Sequence, residues 1–267
     1  MICCRVGGYV LRKQLSHERY KMLFKDYKKT PACIWSMAIA LLLLVCGNAG
    51  ADVYDDFNGT GIDEQKWVTA GGGFSQPGDG YLHFSGSTGD RSGLTSIKLF
   101  QSGVFTLSFN DYKCNNNAPS GKGLGSIAGF GLGSRASNNW VRFERGQVNS
   151  GGYIEVNWVE PNESGHPIHV NWLPSEITAG FLQIRYDGTQ VSFFYRVKDT
   201  DAWRPIVKTG RDGYPISKSP LILTPGWGME VPLFITALPG GGKSSHYTLS
   251  FKVDKVDVGV PGSEQAN

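Results

Sequence analysis

Six polar and aromatic residues, Trp140, Arg142, Glu144, Tyr153, Glu155 and Asn157, share one phase of two neighbouring alternating runs at 139–145 and 153–160. Carboxylates accept and transfer protons, an amide and a guanidinium fork read hydroxyl groups, and aromatic rings stack on the apolar face of a sugar. Gathered on one sheet face, these groups are what a carbohydrate-binding cleft needs.

Something must hold those side chains together, and the intervening residues supply it. Val141, Phe143, Ile154, Val156 and Trp158 alternate with the polar set, the period of a strand with one buried face. Gly146 to Gly152 between the runs reads as a hairpin loop. Short alternating runs recur along the chain, and strands are expected near 53–57, 80–85, 93–99, 103–111, 126–133, 139–145, 153–159, 181–186, 190–197, 203–207, 230–236 and 246–258. No long stretch carries the helical period. So many strands predict an all-β domain, a two-sheet sandwich or a barrel. Asp187-Gly188 marks a tight hairpin, and the proline-bearing stretch 205–227 reads as a long surface loop. Arg185 and Gln183 lie opposite Leu182, Ile184 and Tyr186 in phase, and Arg185 joins the polar face if its strand enters the same sheet. Trp172 reads equally well as a rim-loop platform or as an anchor.

Residues 1–51 read as a secretory signal peptide, with Lys21, Lys25, Lys28 and Lys29 before an apolar run over 32–45 and Ala49-Gly50-Ala51 after it. Cleavage after Ala51 leaves 52–267 as one domain with no membrane span; Met22 is an alternative start. The run is shorter than the ~20 residues a spanning helix needs. An uncleaved anchor and a lipid tether through Cys46 are the alternatives. The leader carries eight Lys or Arg against two Asp or Glu of the chain's 26 basic and 23 acidic residues, so the remainder holds 18 and 21, and the formal charge moves from +3 to −3. A basic pI that belongs to the leader argues against a nucleic-acid partner. Four of the five cysteines also lie in the leader, leaving Cys114 and no need of a disulfide. The glycine-rich pieces do not sit between a strand and a helix, the context a phosphate cradle requires.

Several segments resemble the concanavalin A-like lectin and glucanase superfamily. Asp55-Asp56-Phe57-Asn58-Gly59-Thr60, then Asp63 and Trp67, resembles the D-F-x-G-x-x-(L/I)-D-x-x-x-W opening of secreted members. The segments 139–144, 182–188 with Tyr195 and Trp203, and 251–258 resemble strands of laminin G-like modules. The resemblance implies a two-sheet antiparallel jelly-roll β-sandwich. Glu155-Val156-Asn157-Trp158-Val159-Glu160 further resembles the E-(I/L/V)-D-x-x-E signature of family 16 glycoside hydrolases, which implies Glu155 as nucleophile and Glu160 as acid/base. Asn157 replaces the signature's Asp, and residues five apart on a plain strand face opposite ways, so the mapping requires a bulge.

The expected role is an exported protein, secreted, periplasmic or at the cell surface, that binds a poly- or oligosaccharide through Trp140, Arg142, Glu144, Tyr153, Glu155, Asn157 and Arg185. Two readings stand beside it: a retaining glycoside hydrolase using Glu155 and Glu160, and a structural or adhesion module. The bland alternative is a solvated face whose Arg142 or Arg145 pairs with Glu155. No cofactor is required. The resemblance admits a structural Ca²⁺ near Asp55, Asp56, Asp254 and Asp257, whereas His83, His166, His169 and His246 lack zinc-ligand spacing.

Overall fold

A computed structural model of the protein describes residues 52–116, 126–134, 139–148, 151–159, 168–209, 215–227, 230–240 and 247–261. Residues 1–51, Glu160, His166 and His246 lie outside the described residues. Strands are numbered in chain order. One antiparallel sheet holds β2 (Trp67–Ala70), β5 (Ser92–Phe100), β7 (Ser126–Ser134), β8 (Asn139–Val148), β9 (Gly151–Val159), β10 (Ile168–Pro174) and β17 (Val231–Pro239), in the spatial order β10-β9-β8-β7-β17-β5-β2. The second holds β1 (Asp52–Asp55), β3 (Phe74–Ser75), β4 (Leu82–Ser87), β6 (Gly103–Asn116), β11 (Gly180–Tyr186), β12 (Val191–Arg196), β13 (Arg204–Pro205), β16 (Ile222–Leu223) and β18 (Tyr247–Gly259). Its order is β13-β12-β11-β6-β18-β4-β3, with β1 on β18 and β16 on β12. The described residues thus form the two-sheet jelly roll expected from the sequence.

Alternation builds the core. Phe105, Leu107, Leu182, Ile184, Val191 and Phe193 of the nine-stranded sheet meet Phe130, Leu132, Val141, Phe143, Ile154, Val156, Leu233 and Ile235 of the seven-stranded one. Phe143 and Phe193 touch edge to face across the gap, with ring centroids 5.8 Å apart. Burying a large apolar side chain contributes about 1.5–3 kcal/mol, while strand propensity spans only about 1 kcal/mol. The pattern of burial therefore sets the register.

The Asp55…Trp67 motif is a structural lock. The Asp55 carboxylate accepts from the Trp67 indole Nε1 at 2.6 Å and from the Phe57 backbone N–H at 3.1 Å, and Lys66 Nζ lies 3.5 Å away. Phe57 holds φ 50° while its ring is fully buried. The Asp63 carbonyl accepts from the backbone N–H of Trp67 at 2.9 Å. These bonds tie β1 of one sheet to β2 of the other.

Some sequence expectations are corrected. β2, β3 and β10 are strands that local alternation did not reveal. The stretch 205–227 is not a plain loop: it carries the hairpin of β14 (Val207–Thr209) and β15 (Pro215–Pro220). Its prolines Pro215 and Pro220 stand at the ends of β15, where a missing donor does least harm. The 146–152 loop is shorter than expected, because β8 runs to Val148 and β9 starts at Gly151. The Asp187 turn spans four residues, with the Asp187 carboxylate accepting from the backbone N–H groups of Thr189 and Gln190 at 2.8 and 2.7 Å.

Candidate functional site

Register aligns the expected polar set on the outer face of the seven-stranded sheet. One row across the strands reads Ala70, Gly93, Thr236, Gly129, Glu144, Glu155, Trp172. The next reads Val68, Thr95, Phe234, Gly131, Arg142, Asn157, Val170. Trp140 and Tyr153 flank these rows on β8 and β9. The residues that were expected to face inward, Val141, Phe143, Ile154 and Val156, do so.

That face is not the open one expected. Glu144 is 0% exposed, and Asn157, Trp140, Arg142 and Tyr153 are buried as well; only Glu155 and Trp172 keep part of their surface open. The cause lies in neighbouring glycines. A Cβ on Gly146 would sit 2.1 Å from the Tyr153 ring, one on Gly131 2.4 Å from the Phe234 ring, and one on Gly129 2.6 Å from the Glu144 Cβ. With no side chains at 129, 131 and 146, the larger groups lie down across the sheet and cover one another. Trp140 packs with Val159 and Phe234 in a small apolar cluster, so it is a packing residue rather than an exposed platform.

Small residues on this face also leave space. A cleft of about 540 Å³ is lined by Ala70, Gly93, Thr95, Gly133, Phe234, Thr236 and Arg142. Arg142 is the member of the polar set that lines it; Glu144, Glu155 and Trp172 lie in the neighbouring row of the same sheet face. Trp172 meets Tyr153 edge to face, with centroids 6.3 Å apart. It was legible as an aromatic, but not as a strand residue beside Glu155.

The electrostatics are uneven. Arg142 Nε contacts Glu144 Oε2 as an ion pair within one strand, and the Arg142 guanidinium lies 5.4 Å from the Trp140 ring centre. Both Glu144 oxygens, Arg142 Nε and Asn157 Nδ2 are buried; Glu144 contacts Arg142, and the Glu144 carboxyl and the Asn157 amide both face the Glu155 carboxyl at hydrogen-bonding range. Burial pushes the Glu155 carboxyl up to about 9, the adjacent Glu144 charge adds to the rise, and Asn157 and Arg142 oppose it without prevailing. Burial and then the Glu144 and Glu155 charges likewise hold the Tyr153 phenol well above its ordinary value.

Two of the expected residues do not converge here, and Glu160 lies outside the described residues. Arg185 belongs to the other sheet, where its Nε donates to Gln183 Oε1 at 2.7 Å and its guanidinium stacks 3.8 Å from the Phe194 ring centre. A hairpin pattern fixes which face a residue takes, not which sheet receives the hairpin. Arg145 does not pair with Glu155 but points to the core side, over the Tyr112 ring, donating to the Ile177 carbonyl at 2.8 Å. Among its described residues β9 shows no register shift, pairing with β8 over Gly151–Trp158 and with β10 over Tyr153–Val159. The third position on the Glu155 face is therefore Val159, an aliphatic residue, and Glu160 follows outside the described residues.

The acids near the sheet ends are engaged by other protein groups. Asp55 is bound by Trp67, Phe57 and Lys66, Asp56 accepts from Asn58 Nδ2 at 2.7 Å, Asp254 from Ser108 at 3.4 Å, and Asp257 pairs with Lys255 at 3.0 Å. Among the described residues no three His, Cys, Asp or Glu side chains come together to hold a metal ion. Trp67 and Trp227 are buried, and Trp203 lies under Arg196.

No family model matches the sequence, and no curated protein does. Solved structures of the same fold do. A β-glucanase of Bacillus licheniformis superposes with TM-score 0.51 at 10% identity, over 79% of this chain and 99% of that one. A family 16 glycosyl hydrolase of Mycobacterium smegmatis gives 0.50 at 14%, over 76% and 97%. The GH43 protein BlXynB of Bacillus licheniformis gives 0.52 at 17%, over 77% of this chain and 38% of that one. At such identities the likeness is one of fold alone: this chain shares the two-sheet antiparallel β-sandwich of those proteins.

Proposed function

We propose that the protein is an exported glycoside hydrolase that takes a poly- or oligosaccharide into the cleft across the seven-stranded sheet. One observation carries the reading: a partly open Glu155, raised to about 9, stands directly opposite a buried Glu144 on the sheet face that also carries Trp172 and Arg142, the latter lining a cleft of about 540 Å³. Two carboxyls whose surroundings favour different protonation states are the working parts of glycosidic cleavage. The half-exposed Trp172 supplies a surface for an apolar sugar face, and Asn157 and Arg142 supply hydroxyl-reading groups. The names of the two family 16 and β-glucanase folds point to the same substrate class, although likeness at this identity supports only the scaffold.

The test is release of reducing ends from a panel of β-glucans, galactans and xylans, with Glu155→Gln beside the wild type. Release from at least one polysaccharide, lost in Glu155→Gln while glycan retention persists, is expected. A wild type that retains a glycan yet never releases reducing ends refutes the enzymatic part and leaves a binding module.

A further inference from the structure

We propose that the cleft on the seven-stranded sheet takes an acidic glycan, whose carboxylate or sulfate groups are held by Arg91 and Arg142. The inference rests on the reading above in one respect, that a saccharide occupies this face, and adds the charge that saccharide carries.

Charge points the way first. Among the described residues lining the cleft, Arg91 and Arg142 are the charged side chains, and no carboxylate lines it with them. Residues 52–267 carry a formal charge of −3, so two lining cations run against the average of the domain. Arg91 is exposed and pairs with no carboxylate among the described residues. Arg142 gives its Nε to Glu144, but a guanidinium carries five N–H donors, and one contact does not exhaust the fork. The acids of the neighbouring row do not cancel this charge. Glu155 holds its proton at neutral pH, and Glu144 is already balanced by Arg142. Arg91 is thus left uncompensated, and an anionic group on the ligand supplies what it lacks. A guanidinium fork also matches carboxylate and sulfate oxygens in shape.

Construction of the cleft agrees. Gly133 has φ 96°, and a Cβ there would stand 2.3 Å from the Asn139 carbonyl oxygen, so the lining beside Arg142 stays bare. Gly71 has φ 75°, and a Cβ there would lie 2.1 Å from the Arg91 carbonyl oxygen, so the turn after β2 seats closely against the Arg91 backbone. The Trp140 ring, with its centre 5.4 Å from the Arg142 guanidinium, steadies the other cation. Thr95 and Thr236 add hydroxyl groups and Phe234 an apolar surface. Arg142 stands on β8 and Arg91 directly ahead of β5, three strands away in the sheet order. Three strand spacings amount to about 14 Å along the sheet. A ligand that meets both arginines is therefore an oligosaccharide or longer, with acidic groups on separate units.

Affinity electrophoresis in polygalacturonate beside its methyl ester, and in a sulfated galactan beside its desulfated form, tests this. At least one acidic polymer should bind wild type about tenfold more tightly than its neutral counterpart, the scale of one charge-assisted hydrogen bond. Raising salt from about 50 to about 500 mM should cut that preference severalfold. The two pairs of polymers tell carboxylate from sulfate. Arg91→Gln should lose the preference while melting like wild type, and Arg91→Lys should keep part of it. Lys113→Gln, which removes an exposed cation of the other sheet, should keep all of it. Equal or tighter binding of the neutral forms, or a preference that survives Arg91→Gln, overturns the assignment; a neutral polymer that is retained and cleaved then leaves the hydrolase reading standing. An acidic polymer retained but never cleaved upholds the assignment and refutes hydrolysis. A wild type that neither binds nor cleaves any of the polymers defeats both.

Discussion

Replacing Glu155 by Gln should stabilise the protein, and the gain should grow with pH. The ordinary value for this carboxyl is 4.5 and the folded protein raises it to about 9. Below about pH 4.5 folded and unfolded chains both carry the proton, and the group contributes nothing to the pH dependence. Between the two values the folded state holds a proton that the unfolded state has lost, so stability falls as pH rises, by at most about 1.4 kcal/mol per pH unit. Above about pH 9 both states are ionised and the loss levels off. At pH 7 the cost is about 3 kcal/mol. Gln keeps the shape and the hydrogen-bonding capacity of the protonated acid without titrating, so the variant escapes that cost. In a domain of this size, 3 kcal/mol corresponds to a rise in melting temperature of about 6–12 °C. Urea unfolding of wild type and Glu155→Gln at pH 4, 5.5, 7 and 8.5 reads this directly. The curves should coincide at pH 4 and separate steadily above it. Removing the opposing charge in Glu144→Gln should flatten the wild-type slope. Parallel wild-type and Glu155→Gln curves across the range would refute the account of a buried, proton-holding carboxyl.

The two cleft tryptophans should part company. Trp172→Ala is expected to weaken retention on the cleaved polysaccharide at least about tenfold, equivalent to about 1.4 kcal/mol, with the melting temperature nearly unchanged, whereas the buried Trp140→Ala should lower stability by about 3–5 kcal/mol; affinity electrophoresis and thermal melts separate the two, and an unaltered affinity in Trp172→Ala rejects the platform. Gly131→Ala places a Cβ 2.1 Å from the Val141 carbonyl oxygen and 2.4 Å from the Phe234 ring. It should destabilise by about 1–3 kcal/mol, and a melt matching wild type would show that the floor of the cleft can yield.

Local pattern carried much of this architecture. Period-two alternation correctly sorted Val141, Phe143, Ile154 and Val156 from Glu144, Glu155 and Asn157, because one face of each strand meets a core that rewards no other phase. The pairing of distant strands is not written in that pattern, and so Arg185 was given the right phase but the wrong sheet. Burial of the polar face was hidden for a related reason. It depends on Gly129, Gly131 and Gly146, whose absent side chains matter only once β7, β8 and β9 lie beside one another. The alternation Gly129-Phe130-Gly131-Leu132-Gly133 was the available signal: glycine at every second position leaves one face of a strand bare. Trp172 was read as a rim-loop platform or an anchor and not as a strand residue, because β10 is a short edge strand that mixes half-exposed residues on both faces and ends at Pro174.

The placement of β18 governs when this molecule can exist at all. It is the last described strand to be synthesised, yet it lies between β6 and β4 and also receives β1, so that Val53 pairs with Asp257 and Val256 with Leu107. Until those residues leave the ribosome, β4 and β6 have no strand between them and β1 has no partner. Assembly therefore waits on contacts among the most distant parts of the chain, the slow regime for folding. A polypeptide so arranged completes its nine-stranded sheet only once its last described strand has been made.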